Sequence, residues 1–255
     1  MKMIPLLVFV AYVLFRAVQR PGSTASRVGE VLAVFVGITP AVWVMATHGV
    51  SSKLVIGYGV LFFFGSVLVK WAVYLGVLSR HVYPSMSAGV MAVIQGLLSS
   101  GCEMGAAAIA FRLFLPNLGL WQVFGFGAGA AGCEALIASL VQNPFAGGQF
   151  GEQTAAQISA LESGPWWLAV ALPFVERGVA TTDHIACRGL VALGIASGRV
   201  WPIAVAVLAF AVTDGFVMYA LARKWEFAQP AVAARLFGVL ALVAAGSAVA
   251  WRLAI

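Results

Sequence analysis

Charge is what this sequence lacks. Only 9% of its 255 residues are Asp, Glu, Lys or Arg, whereas a soluble domain draws on about a quarter charged residues to cover its surface. A water-soluble globular protein is thereby excluded. The long apolar runs also lack the residue-by-residue alternation of a membrane barrel, in which lumen-facing and lipid-facing side chains take turns. There is no basic tract. The formal net charge of +6 is scattered over short connections, so it bears on orientation and leaves no surface for nucleic acid. Cysteine is scarce as well. Cys102, Cys133 and Cys187 all fall within apolar runs, which argues against a disulfide framework.

What is present is apolar surface. With 62% hydrophobic residues and a mean hydropathy of +0.99, the chain reads as an all-α, polytopic transmembrane helix bundle. Backbone groups in lipid must bond within their own segment, and helices do this. About eight spans are expected, with seven the next count. They lie at 1–18, 28–47, 54–78, 85–115, 119–141, a segment centred on 174–194, 201–221 and 232–253. The first begins Lys2 and an apolar run, resembles a signal peptide in outline, and reads as a retained helix. Arg16, Arg20 and Arg27 follow it. The slight excess of Arg and Lys on one set of loops puts both termini outside the cytosol. The protein is expected to be an integral, multi-pass membrane protein with the lipid bilayer as its solvent. One domain covers 1–255, and within it 85–222 forms a unit of four helices with a polar core. An acidic loop at 142–164, with Glu152 and Glu162, has room for a short helix.

Against this background each ionisable group inside a span needs a partner, a ligand or water, because it costs several kcal/mol otherwise. The stretch 174–194 holds most of them: Glu176, Arg177, Asp183, His184 and Arg188. Arg177, His184 and Arg188 stand at i, i+7 and i+11 and share one stripe, while Glu176 and Asp183 form a second stripe about 100° away. Neighbouring spans add Glu103, Glu134 and Asp214. Four consecutive spans thus direct acids toward one polar interior. Lys70, beside Trp71 and Tyr74, reads as a lysine snorkelling to the interface. Gly125, Gly127, Gly129 and Gly132 form a face that another helix backbone can approach closely. No strand precedes them, so GFGAGAAG is not a dinucleotide fingerprint. Val207 is expected to face lipid.

The ordered set of motifs resembles a known family over about 85–219. A glutamate in span four, a Gly-rich stretch ending in Glu134-Ala135, Glu176-Arg177 followed seven residues on by His184-Ile185, and Asp214 are similar to the YhfC-like intramembrane metalloproteases. These belong to the CAAX-protease superfamily, with which the Aph scaffold subunit of gamma-secretase is grouped. The resemblance implies zinc, with His184 as a ligand and Glu103 and Glu134 as catalytic acids if the chain is active. The departures are specific. Ala106 stands where the family has an arginine, and Ala130 and Phe210 stand where it has histidines.

Zinc catalysis calls for about three protein ligands and an open position, and the lost imidazoles leave that set short. The leading expectation is therefore a degenerate, non-catalytic relative with no cofactor. It would hold other membrane subunits, or a substrate's transmembrane helix, in a cleft built by Glu103, Glu134, Glu176, Arg177, His184 and Asp214. The alternatives are an active protease with a non-standard zinc site, and a small proton-coupled carrier that uses the same acids as a relay.

Overall fold

The computed structural model describes residues 22–140 and 151–255. The helix expected at 1–18, with Arg16 and Arg20, lies outside the described residues, as do 141–150 of the acidic loop. The side chain of Glu152 is likewise not described. Eight helices run through the described residues, with no strand among them. We number them α1 (Thr24–Thr47), α2 (Lys53–Ser85), α3 (Ala88–Phe114), α4 (Leu120–Leu140), α5 (Gly151–Ser163), α6 (Trp166–Ser197), α7 (Val200–Ala222) and α8 (Pro230–Ala254).

Local chemistry sets the ends of these helices. Ser23 and Ser87 cap α1 and α3, accepting the otherwise unpaired amides of Ser26 and Val90. Pro230 opens α8, where its missing N–H leaves no helical bond unmade. Gly198, at φ 68°, takes the left-handed conformation that ends α6. The rod α2 runs straight through the point where span three was expected to stop. It is wound in wide i→i+5 turns near both ends and closes with a 3₁₀ turn at Tyr83–Ser85.

Six helices, α1 to α4 with α7 and α8, are long and apolar enough to cross a membrane. The chain is an all-α helical membrane protein. α6 is not among the six, because Glu176, Arg177, Asp183, His184 and Arg188 interrupt its apolar surface. It is instead the centre of the bundle. α1, α4, α7 and α8 all pack against it, and α3 reaches it more sparingly. The most extensive pairing of all is α3 against α7. Its close approach needs Gly96, where a Cβ would stand 2.2 Å from the Ala211 carbonyl oxygen, and Gly215, where one would stand 2.7 Å from that of Ala92. Small residues allow backbones this near, which is how helices associate in a solvent that gives them no hydrophobic drive.

Two packing expectations are corrected. The α4 glycines do not make one face. Gly125 meets Val50, just before α2, and Val55 of α2, Gly129 meets Val55, Gly127 meets Ile185 of α6, and Gly132 lies nearest Gly37 of α1. α4 is buried on several sides, so its small residues serve three neighbours. Val207 does not face lipid: it is half-buried in the α3–α7 contact, and its carbonyl accepts a 2.7 Å hydrogen bond from Ser100 Oγ. Its neighbour Leu208, 62% exposed, faces outward. The short α5 occupies part of the expected acidic loop. Gln157 ties it to the α7–α8 connection, donating to the Trp225 carbonyl at 2.7 Å and accepting from the Phe227 amide at 2.9 Å.

Candidate polar site inside the bundle

The helices bring the ionisable residues of five elements into one network. Glu103 of α3 is fully enclosed. Its Oε1 receives Lys70 Nζ of α2 at 2.8 Å, and its Oε2 receives Arg188 Nη2 of α6 at 3.0 Å. Lys70 also donates to Ser99 Oγ at 2.9 Å and stands 3.8 Å from Asp214 Oδ2 of α7, to which Ser99 donates in turn. On the other side, Glu134 of α4 accepts from His184 Nε2 and pairs with Arg177 Nη1 at 3.2 Å. Arg177 Nη2 spans both oxygens of its neighbour Glu176, at 2.7 and 2.9 Å. Arg188 Nη1 completes the chain by donating to His184 Nδ1.

Arginine has only donors to give. Since Arg188 faces Nδ1 of His184, that nitrogen accepts, and the ring proton sits on Nε2, directed at Glu134. Both imidazole nitrogens are therefore committed. Two phenyl rings sheathe the pair. Phe63 and Phe210 stand edge-on to His184, with centroids 5.4 and 5.3 Å away, and both lie within 6 Å of the Arg188 guanidinium. Phe210, where the family pattern has a histidine, thus walls the site in place of coordinating. Ala130, the other such position, is buried against Phe63, Val67 and Cys133.

These residues do not fit a catalytic zinc ion. His184 offers no free lone pair, and Glu103 is held between two cations at 3 Å or less, which repel a divalent metal. Cys187 Sγ is spent on Asp183 Oδ1 at 3.2 Å. Among the described residues no three His, Cys, Asp or Glu side chains converge on one point.

Every site residue inferred from the sequence has a definite place. Glu103, Glu134, Glu176, Arg177 and His184 join through direct contacts, and Asp214 joins through Ser99 and Lys70. Lys70 is a correction: its side chain is 15% exposed and points into the network, away from the interface. Ending span three at 78 placed it two turns from the membrane surface. The rod starts at Lys53 and continues to Ser85, so that, wide turns included, either end lies roughly 15 Å or more from Lys70. A lysine stem is too short for that. Ser99 is a partner that the sequence reading did not name, and Arg188, named there on the stripe of His184, joins the network as the second cation on Glu103. The i, i+4 pairs Ser99–Glu103 and His184–Arg188 were the available signal.

The network spans about 18 Å of α6 from Glu176 to Arg188 and has a dry and a hollow side. Beyond Arg188 the bundle is filled by Met104, Ala107, Phe111, Phe126, Leu190 and Val191. Toward the α7–α8 connection there is a cavity of about 250 Å³, walled by Glu134, Glu176, Asp183, His184 and Asp214 among apolar side chains. A second, of about 290 Å³, adjoins it through Glu176, Phe227 and Phe237 and runs on past Arg177 to Glu30. No family model, no curated protein and no solved structure matches this chain.

Proposed function

We propose that this chain is a multi-pass membrane protein that holds and does not cleave: a non-catalytic, intramembrane-protease-like subunit. Its adjoining cavities take side chains from the membrane segment of a partner or substrate. The observation that carries this reading is the commitment of both His184 nitrogens, one to Glu134 and one to Arg188. A general base or metal ligand needs a free lone pair at the moment of reaction. This histidine spends its own on tying α4 to α6. Likewise both oxygens of Glu103 are engaged, Oε1 by Lys70 and Oε2 by Arg188. A buried network of this kind sets helix register, and it leaves the hollow side of the bundle as the place for recognition.

Native mass spectrometry of the protein, gently extracted from its own membrane, tests the proposal. The expected result is a metal-free chain in stoichiometric complex with other membrane subunits. A monomer overturns the partner-holding reading. One zinc per chain, lost in His184→Ala together with cleavage of membrane substrates, restores the protease.

A further inference from the structure

α1, α3, α6 and α8 finish at one end of the bundle, and α2, α4 and α7 begin there. The α3–α4 connection lies across that end. Its Leu115 and Leu118 pack in apolar clusters that also hold Val50 and Leu54 from the α1–α2 junction, Ile195 of α6 and Trp251 of α8. Each connection there, and the end of α8, carries a cation: Lys53 opens α2, Arg112 lies in the last turn of α3, Arg199 directly precedes α7, and Arg252 lies in the last turn of α8. All four are exposed, and none pairs with a carboxylate among the described residues. This end has no Asp or Glu. Of the nine in the chain, Glu103, Glu134, Glu176, Asp183 and Asp214 line the polar interior, while Glu30, Glu152, Glu162 and Glu226 belong to the start of α1, to α5 and to the α7–α8 connection, at the opposite end.

Apolar side chains stand in the open beside these cations. Arg112 is followed by Leu113, 68% exposed, and Phe114; Arg199 by Val200, 77% exposed, and Trp201; Arg252 by Leu253, 81% exposed. Trp43 and Trp121 are exposed at the same end, and tryptophan settles where headgroups meet acyl chains. The opposite end differs. There Arg223 and Lys224 run into a half-buried Trp225 with Arg235 over its ring, and acids are interspersed.

We propose that the acid-free end is a docking surface for anionic phospholipids, whose phosphates meet Lys53, Arg112, Arg199 and Arg252 while their acyl chains lie along the neighbouring apolar side chains. Basic residues at headgroup level attract anionic lipid, and an arginine fork can hold two phosphate oxygens at once. Charge alone would suit an acidic protein segment equally well. The exposed apolar residues beside each arginine favour a molecule with its tail directly below its anion. The surface requires only the membrane placement of the chain and is independent of the function proposed above.

The test uses the full chain in nanodiscs of equal parts dioleoylphosphatidylglycerol and dioleoylphosphatidylcholine, which share their tails. Native mass spectrometry after release from the disc counts the lipids that stay bound, and phosphatidylglycerol is expected to exceed phosphatidylcholine among them about threefold or more. Arg112→Gln, Arg199→Gln and Arg252→Gln together are expected to remove most of that excess while leaving the melting temperature in pure phosphatidylcholine unchanged. Arg80→Gln, Arg223→Gln and Lys224→Gln, at the opposite end, are expected to keep it. An excess that survives the first triple variant, or falls equally in the second, overturns the surface. If the first triple variant does not fold, a phosphatidylglycerol with a photoreactive headgroup decides on the unaltered chain: cross-links concentrated around Arg112, Arg199 and Arg252 support the surface, and equal labelling around Arg223 overturns it. Inorganic phosphate at millimolar concentration is expected to leave the bound lipid in place; if it strips the lipid, the surface is a simple anion site and the lipid reading falls. An acidic protein that survives extraction on the unaltered chain but not on the first triple variant, with no lipid excess, assigns the surface to a protein partner and overturns the proposal.

Discussion

Glu103 is the residue on which the polar interior closes. It is buried with two cations, Lys70 and Arg188, drawn from helices on either side of it, and a lone buried charge is far costlier than a paired one. Removing either cation leaves the carboxylate short of a partner. Lys70→Met and Arg188→Met are each expected to lower unfolding free energy by about 3 kcal/mol. Adding Glu103→Gln to either is expected to return part of the loss, since the stranded charge then disappears. Denaturation of the single and double variants in mixed micelles measures this. Strictly additive losses would mean that the pairs are not coupled. The same residue shows what the family pattern leaves out. Ala106, one turn beyond Glu103 on the same helix, offers it no charge, and Lys70 and Arg188 bring theirs from other helices.

Among the elements, α3 against α7 is the contact with least tolerance. Gly96 and Gly215 let the two backbones touch, and Ser100 Oγ donates across to the Val207 carbonyl at 2.7 Å. Gly129 is as tight against α2, since a Cβ there would stand 2.1 Å from the Val55 carbonyl oxygen. Gly96→Leu and Gly129→Leu are each expected to cost about 3 kcal/mol or to prevent folding. Leu208→Ala on the outward face of α7 should change stability by only a few tenths of a kcal/mol, about what an exposed site away from special contacts gives. Thermal unfolding of the three variants ranks them, and equal tolerance at 96 and 208 would remove the close-packing account. The α4 glycines were legible as packing residues. Their division among α1, α2 and α6 was not, because a run with glycine or alanine at most positions has no distinct polar and apolar faces to orient it.

At the scale of the whole molecule the bundle is layered. α3, α4, α6 and α7 each pass from charged residues to the apolar filling of Met104, Phe111, Phe126 and Leu190, so the polar layer is hollow toward one end and dry toward the other. A relay for protons needs a continuous polar or water-filled path, and the dry layer interrupts it. Proteoliposomes carrying the purified chain are accordingly expected to show no proton flux above empty vesicles under an imposed pH gradient, read with an internal pH dye. Flux that disappears in Asp214→Asn would establish the carrier in place of the holding function.

The sequence by itself determined that the protein is helical and belongs in a membrane, where most of its helices begin and end, and that Glu103, Glu134, Glu176, Arg177, His184 and Asp214 need company. These are local consequences: hydropathy acts residue by residue, caps act over three or four positions, and a charge in an apolar run is costly whatever surrounds it. Only the tertiary structure decided who the company is. Lys70 lies 33 positions before Glu103, and Arg188 lies 85 positions after it. No periodicity along one helix encodes a pairing between helices, because it depends on how far each rod extends and how it is turned against its neighbours. The engagement of both His184 nitrogens is a product of that arrangement. So is the difference between a row of acids that looks able to bind a metal and a network that has already neutralised most of them.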